Sequence, residues 1–315
     1  MKYFVYKALF YVILRLPDFF FGILFKLVFP IYKALHKERA FGRTLRHLEN
    51  AKADVIESGK NSAALNCCSA DDVFKGIFWN AIDSYRGLAR LPRTTKRIVF
   101  ENEEIIWDAV RGNEAKGIVA GPIAAISIHQ GSFELLHRSL CRYSDKVHLV
   151  TDTLGDGALR RYIQELRCDK NLTEYSPNES RALIRNLFKT NGILAMVIDQ
   201  GKHTKGNQVK LFGQDSTLYL RLPELVNQMG AGIVTFRTFT RSNRELASDE
   251  PRGKVGEDLR GDIVICFEKY YPPQYDKVRK ESDAPLVESI AKEVETWISD
   301  NPAQWSWNYH GNFRV

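Results

Sequence analysis

The sequence predicts an α/β fold, a central mixed sheet flanked by helices, with an apolar helical region ahead of it. Three observations carry this. From about residue 95 short apolar runs alternate with helical patterns, which is the grammar of strands with helices packed on both faces. The chain has 315 residues, 44% hydrophobic and 26% charged, enough to bury a substantial core and ordinary enough to exclude collagen, coiled coil and wholesale disorder. Residues 1–35 differ from the rest: they hold eleven of the 36 aromatic side chains.

The apolar head comes first. Lys7, Arg15, Lys26 and Lys33 interrupt it, and Pro17 and Pro30 stand as breakers. Pro17 suits the start of a helix, which predicts an amphipathic helix over 18–29. On a single continuous helix Arg15, Lys26 and Lys33 fall within roughly 20° of one another at 100° per residue. Aromatics beside a basic stripe suit the boundary between bilayer and water. A spanning helix needs about 20 mainly apolar residues, so in-plane and tilted-spanning modes both stay open. No small-residue cleavage site of a signal peptide follows an uninterrupted apolar run. Charge agrees with a membrane-facing head: residues 1–60 hold eleven Lys/Arg against five Asp/Glu, whereas the whole chain carries +7, leaving the other 255 residues at +1. A neutral body argues against nucleic acid, which needs a broad phosphate-tracking surface.

Residues 36–60 read as a charged helix, 61–70 as a small polar loop, and 71–91 as a helix opened by acidic residues, with Val73, Ile77, Phe78, Ile82, Tyr85 and Leu88 at helical spacing. Three regions are expected: 1–35 membrane-associated, 36–94 helical and packed on the core, 95–315 the α/β core. Within the core, strands are predicted at 124–129, 147–152, 193–199, 232–239 and 262–267. Helices are predicted near 132–143, 156–168, 179–190, 217–229 and 284–299.

In such folds chemistry gathers at the carboxyl ends of strands. The first clear strand ends at His129, in the text IHQGSFELL. Gly131 and Ser132 turn the chain, and Ser132 can cap a helix whose first turn holds Glu134. Of the seven histidines only His129 has an acidic residue five positions on. A carboxylate folded back onto the imidazole fixes its tautomer and leaves the other nitrogen as a base, a His129–Glu134 dyad suited to deprotonating a hydroxyl. The spacing alone is also what chance provides.

The wider text decides. HQGSFELL resembles the H-x-G-N-W-E-L segment of the bacterial lipid A late acyltransferases, the lauroyl and myristoyl transferases. These are related more distantly to the glycerolipid acyltransferases that share H-x4-D/E. RRYIQELRCDK (160–170) resembles that family's helix ending in an arginine, placing Arg167 there. ILAMVIDQGKHTKGNQVKLFGQDST (193–217) resembles its strand, its P-D-Q/H-D-x-G turn and its V-x-F-F-G-x3-T stretch through Asp199, Gly213 and Thr217. PAQWSWNYHGNFRV (302–315) resembles its closing P-E-Q-Y-x-W-x-H-R-R-F-K through Pro302, Gln304, Trp307, His310 and Phe313. Departures mark a divergent member: Ser132 and Phe133 for Asn and Trp, Ile198 for Pro, Gly201 for a second aspartate, and Gly311 and Asn312 for two arginines.

The resemblance implies a glycerolipid-acyltransferase-like fold and an O-acyltransferase of lipid A biosynthesis. It implies a location on the cytoplasmic face of the inner membrane, with an acyl carrier protein (or acyl-CoA) as donor and a lipid A precursor as acceptor. His129 would be the base and Glu134 its orienting carboxylate. Arg167 would contact a phosphate or oxyanion, with Arg160 and Arg161 as alternatives, and Asp199 would sit on the substrate side. As plain residues, Arg167 also reads as a solvated helix arginine and Asp199 as a cap or ion-pair partner. No cofactor or metal is implied: no C-x-x-C, P-loop or G-x-S-x-G occurs. His137 and His148 read as structural or surface residues, and His203 as a loop residue. Trp305, Trp307, Tyr309 and Phe313 alternate as core or acyl-pocket wall. Other glycolipid or phospholipid acceptors, and a non-catalytic lipid-binding protein on the same fold, remain as alternative readings.

Overall fold

The computed structural model describes residues 2–36, 41–59, 62–94, 97–151, 157–200, 205–241, 261–274 and 286–307. Two helices open it, α1 (Lys2–Arg15) and α2 (Asp18–His36). The second passes through Pro30 rather than stopping at Phe29. An interior proline costs about 3 kcal/mol, and the rings of Phe25, Phe29 and Tyr32, packed against Phe74, Phe78 and Trp79, offset it.

Three helices follow: α3 (Gly42–Glu57), α4 (Ala63–Cys67) and α5 (Ala70–Ala89). The polar 61–70 stretch, expected as a loop, thus contains a helical turn. Ser62 caps it by accepting from the Leu65 amide, and Leu65 is wholly buried. A capping box between Ser69 and Asp72 starts α5. The rest of the chain runs through α6 (Leu91–Thr94), β1 (Ile98–Glu101), α7 (Glu103–Arg111), β2 (Ile123–Ser127), α8 (Leu136–Leu140), β3 (Val147–Val150), α9 (Gly157–Arg167), β4 (Leu172–Tyr175), α10 (Ser180–Thr190), β5 (Ile193–Val197), the hairpin β6 (Asn207–Leu211) and β7 (Gln214–Leu218), α11 (Arg221–Gln228), β8 (Gly232–Arg241), β9 (Asp262–Tyr271) and α12 (Leu286–Asp300).

Seven strands form one sheet in the order β1-β9-β8-β2-β5-β3-β4, every neighbouring pair parallel except β8 and β9. All five predicted core strands are in it. β1 (IVFE) and β4 (LTEY) are four residues each, and a glutamate in each breaks the apolar run. The 217–229 helix begins later than expected, because Gln214–Leu218 pairs with Asn207–Leu211 as a hairpin. β2 is buried along its whole length, as a central parallel strand must be. Ala124, Ile126 and Ile128 face a core shared with α3, α10, α11 and α12. Ile123 and Ala125 face another shared with α7 and α8.

Candidate active site

Register brings the site together. β2 and β5 are parallel neighbours with Ser127 opposite Val197. Two residues further on, each strand has just ended, and His129 lies beside Asp199. The imidazole Nδ1 is 2.7 Å from Asp199 Oδ1. Asp199 Oδ2 accepts from the His129 backbone N–H and from the Trp305 indole N–H, each at 3.0 Å. Asp199 and Trp305 are buried. A carboxylate ringed by N–H groups can only accept, which puts the ring proton on Nδ1 and the lone pair on Nε2. Among the described residues no group hydrogen-bonds Nε2, and the side chain is 17% exposed. Phe133 closes one flank edge-on, with centroids 4.7 Å apart.

The backbone around His129 is pinned from three sides. Gly131 has a φ of +53°, and a Cβ there would lie 2.8 Å from the Thr238 carbonyl oxygen. Its N–H donates to the Gln304 carbonyl at 2.9 Å, and its carbonyl accepts from Ser84 Oγ on α5 at 3.2 Å. The Ser306 N–H donates to the His129 carbonyl at 3.2 Å. Ser132 makes no side-chain cap; instead its carbonyl accepts from the Leu135 N–H and closes a 3-10 turn over Phe133–Leu135.

Glu134 sits in that turn, turned away from the role the spacing suggested. Both its oxygens are held by the Arg167 fork, Nε at 2.7 Å and a terminal nitrogen at 2.6 Å. The structure therefore pairs His129 with Asp199 and Glu134 with Arg167. Sequence distance favoured the local acid, but strand register delivers the remote one. Burial pushes the Glu134 carboxyl up, but the Arg167 charge and its fork outweigh it and hold the group below its ordinary value. Desolvation lowers the Arg167 pKa, yet Glu134 more than compensates and the net shift is upward. Arg167 is thus a buried ion-pair partner rather than a solvated helix arginine, and its other terminal nitrogen reaches Thr151 Oγ1 at 3.0 Å. Of the alternative arginines, Arg160 is exposed and Arg161 stacks over the Tyr3 ring.

His137 and His148 are both buried. Burial drives His137 down to about 4, and its Nε2 has no partner. His148 Nε2 lies 3.1 Å from Thr190 Oγ1. Among the described residues no group of three or more His, Cys, Asp or Glu is placed to hold a metal. Gly201, His203, Tyr309, His310, Gly311, Asn312 and Phe313 lie outside the described residues.

Trp305 is the residue whose site contact the sequence did not announce. It reads as an apolar wall or core ring, and only the need of a buried indole N–H for an acceptor hints at more. Here that acceptor is Asp199.

Residues 90–314 match the family described as bacterial lipid A biosynthesis acyltransferases. The chain belongs to that family. Comparison with curated proteins found no match. The matched stretch covers more than two thirds of the chain and contains His129, Glu134, Arg167, Asp199 and Trp305, while Ser84, which holds the Gly131 carbonyl, precedes it. α1 and α2 precede it. Among the described residues, α2 alone is long and apolar enough to cross a membrane, by length and composition.

Proposed function

We propose that this acyltransferase moves a fatty acyl group from an acyl carrier protein thioester, or acyl-CoA, to a hydroxyl of a lipid A precursor at the cytoplasmic face of the inner membrane. The observation that carries the mechanism is the 2.7 Å contact between His129 and Asp199 inside a lipid A acyltransferase family chain.

His129 Nε2 takes the proton of the acceptor hydroxyl as its oxygen attacks the thioester carbon. Asp199 holds the Nδ1 proton in place and balances the imidazolium that forms. The tetrahedral oxyanion collapses, the C–S bond breaks, and the imidazolium returns its proton to the leaving thiolate. The products are an ester and a free thiol, and no cofactor is consumed. Of the two carboxylates near the histidine we assign orientation to Asp199. We give the Glu134–Arg167 pair the task of holding the 133–135 turn, and with it Phe133 and the histidine's flank. Gly311 and Asn312, where the family carries two arginines, favour a second reading in which the acceptor is a less charged glycolipid or phospholipid.

Mass spectrometry of lipid A and total polar lipids tests both. Cells carrying the intact chain, none, or His129→Ala are compared. A species heavier by one fatty acyl group, present only with intact His129, identifies acceptor and chain length. Identical profiles in all three, with the protein confirmed in the membrane, would overturn acyl transfer.

A further inference from the structure

Among the described residues fifteen large apolar side chains are exposed, and eleven of them lie on α1 and α2. On α2 they run as a stripe through Phe19, Ile23, Leu27, Ile31 and Leu35. The opposite face, Phe21, Phe25, Phe29 and Tyr32, is zipped antiparallel along α5. Phe21 and Phe25 meet Trp79; Phe29 and Tyr32 meet Phe74 and Phe78. Both ends are clamped by charge: Asp18 bonds Arg86 at 2.9 Å and also Arg90, and Lys33 pairs with Asp71. α2 is bound to protein over its full length.

α5 is equally bound on its other side. Ser84 holds the Gly131 carbonyl and Asn80 donates to the Ala303 carbonyl. Gly76 lies so close to that same carbonyl that no Cβ fits. For α2 to cross a bilayer, α5 would have to accompany it, carrying Asp71, Asp72, Lys75, Asp83 and Arg86 into hydrocarbon. We infer that α1 and α2 lie in the plane of an anionic lipid surface, with their exposed apolar faces immersed and α2 riding on α5 without spanning.

Charge selects the occupant. Asp18 is the only acid in residues 2–36, and it is turned toward Arg86 and Arg90, while Arg15 and Lys26 are exposed. Arg15 and Lys26, exposed beside the apolar face, suit anionic headgroups, which attract Lys and Arg. A second copy of the same face would set like charges against each other. The inference rests on helix packing and surface charge and stands or falls independently of the acyl-transfer reading.

Single cysteines replacing Phe20, Leu27 and Leu35, each in the full chain with its five native cysteines changed to alanine, are spin-labelled on phosphatidylcholine vesicles with and without phosphatidylglycerol. In-plane docking places all three labels at similar shallow depth, about 5–10 Å below the headgroups, with tighter binding when phosphatidylglycerol is present. Leu27 near the bilayer centre, about 15 Å deep, with Phe20 and Leu35 reporting opposite leaflets, would overturn it. So would labels that sense no lipid, the result expected if another protein covers the face. In the otherwise native chain, Leu27→Glu with Ile31→Glu should lower vesicle partitioning about 100-fold with the helical circular-dichroism signal unchanged. Unaltered partitioning would also refute it.

Discussion

Replacing Asp199 with asparagine separates the two carboxylates that compete as partner of His129, the proposed base. Three N–H groups of the described residues meet Asp199: the His129 backbone and the Trp305 indole converge on Oδ2, and the ring N–H meets Oδ1. Asparagine has one oxygen. If it serves the two fixed donors, the backbone N–H and the Trp305 indole, its amide N–H points at Nδ1. The ring must then accept there and carry its proton on Nε2, where the base should be. Wrong-tautomer replacements of this kind cost about 10³–10⁴ in turnover, or about 4–5 kcal/mol in the barrier. Volume is conserved, so the denaturation midpoint should move less than when the buried Glu134–Arg167 pair is broken. Glu134→Gln predicts the opposite profile. It leaves the buried Arg167 without its fork, and breaking such a pair costs about 3–5 kcal/mol of stability. Turnover per folded molecule should fall less than in Asp199→Asn. The assay is acyl transfer from a thioester donor, read as kcat and KM at fixed detergent, beside chemical denaturation of each variant. Near-normal turnover in Asp199→Asn, with Glu134→Gln inactive yet fully stable, would refute the pairing argued here and return the histidine to its local acid.

Trp305→Phe removes one donor to the buried Asp199 carboxylate at about 1–3 kcal/mol. It should lower kcat about tenfold with KM unchanged, whereas a wall residue of the acyl pocket would move KM with chain length instead. Gly131→Ala forces an alanine into positive φ, about 1–3 kcal/mol of strain, and sets its Cβ 2.8 Å from the Thr238 carbonyl oxygen. Stability and activity should fall together, since the same turn carries His129. Stability should also depend on pH through His137. Unfolded, it binds a proton near 6.5, but folded it does so only at about 4, so the unfolded chain holds more protons between those values. Stability is therefore flat above about 6.5 and falls by about 3 kcal/mol on descending to 4. Glu134, held low by Arg167, adds a further loss below its ordinary value. Urea midpoints measured across pH 4–8 should show this slope, reduced in His137→Gln.

Much of this architecture is visible in the amino-acid text. Long apolar runs reveal the five core strands because a strand buried on both faces has no polar side to show. β6 and β7 escape for the converse reason: NQVKL and QDSTL are half exposed and carry the polarity of a loop. At the site, His129 is legible as a strand-end histidine and Asp199 as a strand-end acid. That they meet is not legible. β5 is the neighbour of β2 although β3 and β4 come between them in the chain, and no local spacing encodes which strands lie side by side. Glu134 was the natural candidate on proximity in sequence. A glycine in the left-handed region and a tight turn instead deliver it to Arg167, thirty-three residues away.

The segment that finishes the site comes late in synthesis. Trp305 and Gln304 are added 170 residues or more after Glu134, roughly ten to thirty seconds later at ribosomal speed. α1 and α2, which we propose to meet lipid, and α5, on which α2 lies, emerge before it. The nascent chain can therefore reach its bilayer while His129 still has neither its indole-braced aspartate nor the strand-end turn that fixes it. Delivery precedes competence, and a chain stalled before residue 304 would occupy membrane without acylating anything.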